Sequence, residues 1–131
     1  MQSKETNKEN PGWKILVVDD DTATSEIIKL VLELDGHTVQ TVNSGKEALA
    51  LLERHKFDLV TTDFAMSEMK GDMLAATIKE RLPRQPVLMI STNGAIAKAA
   101  GHPLPGVDLV ISKPFHLEEL RKAIATVLWG V

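Results

Sequence analysis

Five short, strand-like apolar runs alternate with amphipathic stretches along this chain, and four of them run directly into a polar side chain. Ile15-Leu16-Val17-Val18 leads into Asp19-Asp20-Asp21, Leu59-Val60-Thr61-Thr62 into Asp63, Val87-Leu88-Met89-Ile90 into Ser91, and Val107 to Ser112 into Lys113-Pro114. Runs this apolar suit strands buried on both faces, so the alternation predicts a parallel sheet covered by helices on both sides. In an open sheet of that kind, ligands bind in the crevice beyond the carboxyl ends of the strands. Residues far apart in sequence then meet at one site.

The stretches between the runs carry helix signals. Ile27, Ile28, Val31, Leu32 and Leu34 mark an amphipathic helix closed by Asp35-Gly36, with Asp21 as its cap and Thr22 as the alternative. Thr38 to Val42 is the second, β-branched strand, followed by the capping box Ser44-Gly45-Lys46-Glu47 and a helix through Leu52. A third helix from about Gly71 to Leu82 should bury Leu74, Ile78 and Leu82 and stop at Pro83. The Ala-rich stretch 94–100 is a short helix at best, cut off by the Gly/Pro cluster that follows. The last helix sets Leu117, Leu120, Ile124, Val127 and Leu128 on one stripe, with Glu118 and Glu119 at the positive end of its dipole.

Composition narrows the class. A chain of 131 residues, 44% hydrophobic, suits one folded domain. Residues 13–129 are expected to form it, behind a flexible leader over 1–12. A net charge of −3 without a basic block gives no electrostatic footprint for nucleic acid or anionic membrane. The absence of cysteine excludes disulfides and thiolate chemistry, and no apolar run approaches a membrane span or a signal peptide core. A cytoplasmic location is the default expectation.

Asp19-Asp20, Asp63, Ser91 and Lys113-Pro114, together with Gly71 a short distance beyond Asp63, resemble the response-regulator receiver domain of bacterial two-component signalling. The likeness extends from about Trp13 to Leu128. It implies a doubly wound, flavodoxin-like five-stranded sheet of order 2-1-3-4-5. It implies further that Asp63 is the phosphoacceptor, Asp20 a direct Mg²⁺ ligand, Asp19 an acidic group acting on the metal through water, and Ala65 a ligand through its main-chain carbonyl. Ser91 would be the switch hydroxyl and Lys113 the conserved-type lysine. The implied partners are a sensor histidine kinase or histidine phosphotransfer domain and a downstream output protein or domain. A homodimer could form on the face made by the segment after the fourth strand, the fifth strand and the last helix.

The chemistry of each position supports the same set. Asp63 alone is a weak nucleophile toward a polyanionic donor, and two neighbouring carboxylates add like-charge repulsion. A divalent cation is therefore needed, and Mg²⁺ suits one or two carboxylates plus phosphate oxygens at ~2.0–2.1 Å. Lys113 adds positive charge and Ser91 a neutral donor for a loose, in-line transition state. Taken singly, a Lys before Pro is usually an exposed turn residue, and a Ser after an apolar run a cap. The four strand ends together carry the reading. Met66, Met69, Met73 and Met89 read as core filling, and His37, His55, His102 and His116 show no ligand spacing.

Three departures from the family pattern stand out. The loop after Asp63 reads Met66-Ser67-Glu68-Met69-Lys70-Gly71, without the usual proline after Met66, which should loosen it. Val110 replaces an aromatic residue in the fifth strand and cannot swing a ring between buried and exposed positions. Ala65 and Asn93 occupy positions that tune water access to the phosphorylated site. The expected switch is a shift of the segment after Ser91.

Two other readings fit less well. Asp19-Asp20-Asp21-Thr22 superficially resembles the nucleophile motif of haloacid-dehalogenase-type phosphatases, with Asp19 as nucleophile, yet Ala23 breaks the pattern and Asp63 is left unexplained. A phosphate-independent interaction module is opposed by the complete Asp/Asp/Asp/Ser/Lys set. A P-loop fails because Glu47 follows Gly45-Lys46 and Gln40 stands where glycine is required.

Overall fold

The computed structural model describes residues 12–92 and 104–130. Its elements are β1 (Lys14–Val18), α1 (Thr22–Leu34), β2 (Thr38–Val42), α2 (Gly45–Arg54), β3 (Leu59–Thr62), α3 (Gly71–Arg81), β4 (Val87–Thr92), β5 (Leu109–Lys113) and α4 (Leu117–Trp129). The strands form one parallel sheet in the order β2-β1-β3-β4-β5, as the family resemblance implies. The expected helix over 94–100 lies outside the described residues, as do Asn93 and His102. No helix among the described residues is long and apolar enough to cross a membrane.

Strand alternation divides the core in two. Ile15 and Val17 point to one face, where they pack with Ile28 and Leu32 of α1 and Leu120, Ala123 and Ile124 of α4. Leu16 and Val18 point to the other, against Ala48 of α2 and Leu74, Ala75 and Ile78 of α3. Each buried Ile, Val and Leu side chain among them stabilises the fold by about 1.5–3 kcal/mol relative to an exposed one.

The caps define where the helices start. Asp21 accepts the Ala23 N–H at 3.1 Å and the Thr24 hydroxyl at 2.8 Å, which settles the cap of α1 on Asp21 rather than Thr22. Ser44 accepts the Glu47 N–H, while the Glu47 carboxylate reaches the N–H of Asn43, one residue further back than a reciprocal box requires. After α1 the chain turns through Gly36 at φ 96°, a conformation open to glycine.

Several expected burials are corrected at element edges. Leu82 lies beyond the end of α3 and is 37% exposed, so the apolar ladder of that helix stops at Ile78. Ile27, Leu34 and Met73 project into solvent, and Leu117 is half-exposed in the first turn of α4. Strand β5 begins at Leu109 rather than Val107 because Asp108 is used elsewhere. Its N–H donates to the Val87 carbonyl at 2.9 Å, and its carboxylate accepts from the Val87 N–H at 2.8 Å and the Lys79 ammonium at 2.9 Å. Ser91 and Lys113 are therefore residues within their strands, not after them. His37 is more than a loop residue, since its Nδ1 accepts the main-chain N–H of Trp13 at 3.0 Å.

Candidate functional site

Parallel register assembles the site. Val18 of β1 pairs with Thr62 of β3, so the residues that follow, Asp19 and Asp63, leave the sheet side by side. The Asp19 N–H donates to Val42 and the Asp63 N–H to Val18, each at 3.2 Å, which holds both main chains against their neighbours. Across the sheet, Ser91 pairs with Ser112 and Thr92 with Lys113, bringing the hydroxyl and the ammonium to the same edge. Gly71, which opens α3, passes so close beneath Asp63 that a Cβ would fall 2.0 Å from the Asp63 carbonyl oxygen.

The charged groups are arranged unequally. Asp19 is buried, with one carboxylate oxygen accepting the Asp21 N–H at 2.9 Å and the other the Lys113 ammonium at 3.0 Å. Lys113 also lies 3.6 Å from Asp63 Oδ2. Asp63 Oδ1 and Ser91 Oγ are buried with no hydrogen-bond partner. Asp20 is exposed, and its Oδ2 accepts both the N–H and the hydroxyl of Ser67, at 3.0 and 3.2 Å. Burial pushes the Asp19 carboxyl above its ordinary pKa; the Asp21 amide and Lys113 pull it down, and the charge of Asp63 adds to the rise.

One carboxylate oxygen from each of Asp19, Asp20 and Asp63 lies within 4.8 Å of the other two. Hard oxygen donors in that spacing fit Mg²⁺, and an unpartnered buried carboxylate oxygen on Asp63 is a group that calls for a cation or a polar ligand. Ala65, the expected carbonyl ligand, sits in the turn closed by the Met66 N–H donating to Phe64 at 3.0 Å. A carboxylate with an uncommitted oxygen, an ammonium and a hydroxyl at one cleft can accept a phosphoryl group and stabilise its charge. Ser67 is the contributor that motif reading missed. The signal was present, because a serine in place of proline supplies an N–H and a hydroxyl that proline lacks.

An open parallel sheet of this order with an acidic cluster, a lysine and a hydroxyl at its carboxyl edge defines a doubly wound α/β domain with its site in the crevice. Residues 15–125 match the family model described as "Response regulator receiver domain", and the chain belongs to that family. It is a signalling domain of the two-component response-regulator type. It is 37% identical over 110 residues to the transcriptional regulatory protein GlrR of Escherichia coli K12, covering 84% of this chain and 25% of that protein. The chain thus spans about a quarter of that relative's length. Among solved structures, a response regulator receiver domain protein from Clostridium thermocellum superposes with a TM-score of 0.82 at 30% identity, covering 90% of this chain and 95% of that one. The receiver domain of sensor histidine kinase PA1611 from Pseudomonas aeruginosa PAO1 gives 0.81 at 25% identity, covering 90% of this chain and 98% of that one, and holds a magnesium ion coordinated in its active-site cleft.

Proposed function

We propose that residues 13–129 form a receiver that takes a phosphoryl group onto the Asp63 carboxylate from a phosphohistidine of a sensor histidine kinase or histidine phosphotransfer domain in the cytoplasm. The observation that carries this reading is the contrast between two carboxylates at one strand edge. Both oxygens of Asp19 are engaged by the Asp21 N–H and Lys113, whereas Asp63 keeps an oxygen without a partner. In the transfer, an Asp63 oxygen forms a bond to phosphorus as the phosphorus–nitrogen bond breaks, and the imidazole leaves with the electron pair. Lys113 offsets the charge on the transferring group, and Ser91 donates to one of its oxygens.

Asp20, Asp63 and the Ala65 carbonyl would hold Mg²⁺ directly, with Asp19 acting on it through water. Bound there, the ion supplies neutralisation of the carboxylates and of the phosphoryl oxygens. Hydrolysis of the acyl phosphate is slow and serves to end the signal, so the domain is not a turnover enzyme. The added charge draws Ser91 and alters the face containing β5 and α4 for an output partner or a second copy. Direct nucleic acid binding is no part of this role.

The test is intact-mass measurement after incubation with Mg²⁺ and acetyl phosphate. One phosphoryl group is expected on the wild type and on Asp19→Asn at a reduced rate, and none on Asp63→Asn. Label that survives in Asp63→Asn and vanishes in Asp19→Asn would instead make Asp19 the nucleophile of a phosphatase.

A further inference from the structure

We infer that Ser67 is a positioning residue for the cation site, its main-chain N–H and its hydroxyl together holding the Asp20 carboxylate in the orientation from which it binds the ion. The inference rests on the reading of the cleft as a Mg²⁺-dependent phosphoacceptor site.

Asp20 stands on the loop after β1, exposed, beside two other carboxylates that repel it. Left to itself, such a side chain would turn outward to water. Both Ser67 donors converge on a single oxygen, Oδ2, at 3.0 and 3.2 Å. A carboxylate has about four acceptor sites, so this leaves the lone pairs of the other oxygen uncommitted. The latch is compatible with the cluster, since with both Ser67 contacts in place one oxygen of Asp20 lies within 4.8 Å of oxygens of Asp19 and Asp63.

Ser67 is itself fixed from both sides. Met66 before it is 1% exposed and packs in the core beneath the sheet. Beyond it, the Met69 N–H donates to the Ser67 carbonyl at 2.7 Å, and the Met69 side chain packs on Gly45, where a Cβ would meet its sulfur at 2.7 Å. Packing on one side and a main-chain hydrogen bond on the other thus seat both donors in a loop that lacks the proline. With proline at 67, Asp20 would lose both the N–H and the hydroxyl. Partners that orient a ligating carboxylate typically change metal affinity by roughly 10–100-fold when removed. Exposure puts Ser67 at the low end of that range.

The experiment is calorimetric titration of MgCl₂ into the full chain as wild type, Ser67→Thr, Ser67→Ala and Ser67→Pro, with circular dichroism confirming each fold. Expected affinities are wild-type for Ser67→Thr, about threefold weaker for Ser67→Ala, and about tenfold weaker for Ser67→Pro, which removes both donors. A role in loop stiffness alone predicts the opposite for proline, whose fixed φ would preserve or tighten binding. If Ser67→Pro does not fold, the Thr and Ala pair decides. Amide exchange at Ser67 in the metal-free protein gives a second readout, and it should accelerate in Asp20→Ala. Wild-type binding with a flat variant series removes the role of Ser67 and leaves the cleft reading standing. A wild type that binds no Mg²⁺ overturns both.

Discussion

Lys113 Nζ lies 3.0 Å from Asp19 Oδ2, nearer than the 3.6 Å that separates it from Asp63 Oδ2. The lysine of the cleft is thus committed first to the more deeply buried carboxylate. Their side chains are only 18% and 3% exposed, so removing the lysine leaves a carboxylate that water barely reaches, whereas neutralising Asp19 still leaves Lys113 beside Asp63.

Lys113→Ala should therefore destabilise the metal-free protein by roughly 3 kcal/mol at neutral pH, the cost of stranding a buried charge. Saturating Mg²⁺ should recover part of the loss, because the cation compensates the same carboxylates. Urea unfolding of the variant with chelator and with Mg²⁺ measures both, and an equal loss in the two conditions would contradict the shared electrostatics.

Asp19 predicts an opposite effect. Its folded pKa is raised above the ordinary carboxylate value, by burial first, so the folded state binds this proton more readily than the unfolded chain. Its contribution to stability therefore grows as pH falls from neutral through the raised value toward the unfolded one. Asp19→Asn should stabilise the metal-free protein at neutral pH and flatten this part of the pH dependence. Unfolding midpoints collected in chelator across the acid range provide the check.

His37 acts in the reverse sense. Its neutral Nδ1 accepts the Trp13 N–H, and burial holds its pKa below the ordinary imidazole value despite the nearby Asp35. Stability from this group is complete above about pH 6.5 and is lost as pH falls from there through the depressed folded value. His37→Gln, which keeps a neutral acceptor, should remove that slope. The Trp13 amide resonance should move with the same titration in the wild type and stay fixed in the variant.

Gly71→Ala should cost about 1–3 kcal/mol, as overpacking does where nothing flexible can yield. The added Cβ would sit 2.0 Å from the Asp63 carbonyl oxygen and 2.9 Å from the Phe64 Cα, both main-chain atoms. Since the strain falls on Asp63 itself, labelling by acetyl phosphate should slow along with the drop in melting temperature.

Two leucines that share the sequence periodicity of α3 should behave differently. Leu74 is fully buried and Leu82 is 37% exposed. Leu74→Ala should lose about 2–5 kcal/mol, whereas Leu82→Ala should lose less than about 1 kcal/mol. Comparable losses by chemical denaturation would contradict the exposure of Leu82.

The leucine pair marks the limit of pattern reading. Periodicity identified Leu74, Ile78 and Leu82 as equivalent, but it carries no information about which turn of a helix still faces a neighbour. The strand ends were legible because register in a parallel sheet follows from the strands themselves: once Val18 pairs with Thr62, Asp19 and Asp63 must be adjacent. The Ser67–Asp20 latch joins residues 47 apart through a loop without periodicity: the serine in place of proline marks a new donor, but nothing local names Asp20 as its acceptor. Asp108 was absorbed into the fifth strand for a similar reason, since its partners Val87 and Lys79 come from other elements. Leu34 and Ile27 are apolar and exposed, a combination that sequence alone reads as core.

Trp13 and Trp129, the only tryptophans in the chain, meet edge to face with ring centroids 5.4 Å apart. They sit where β1 begins, whereas Asp19 follows its far end, six extended residues or about 20 Å away. The protein therefore carries an intrinsic fluorophore pair at one end and its carboxylates at the other. Neither cation nor phosphoryl group bound among those carboxylates can touch the indoles. A change in tryptophan emission on loading the cleft would thus be an optical reading of strain transmitted along the length of the sheet, with no dye attached.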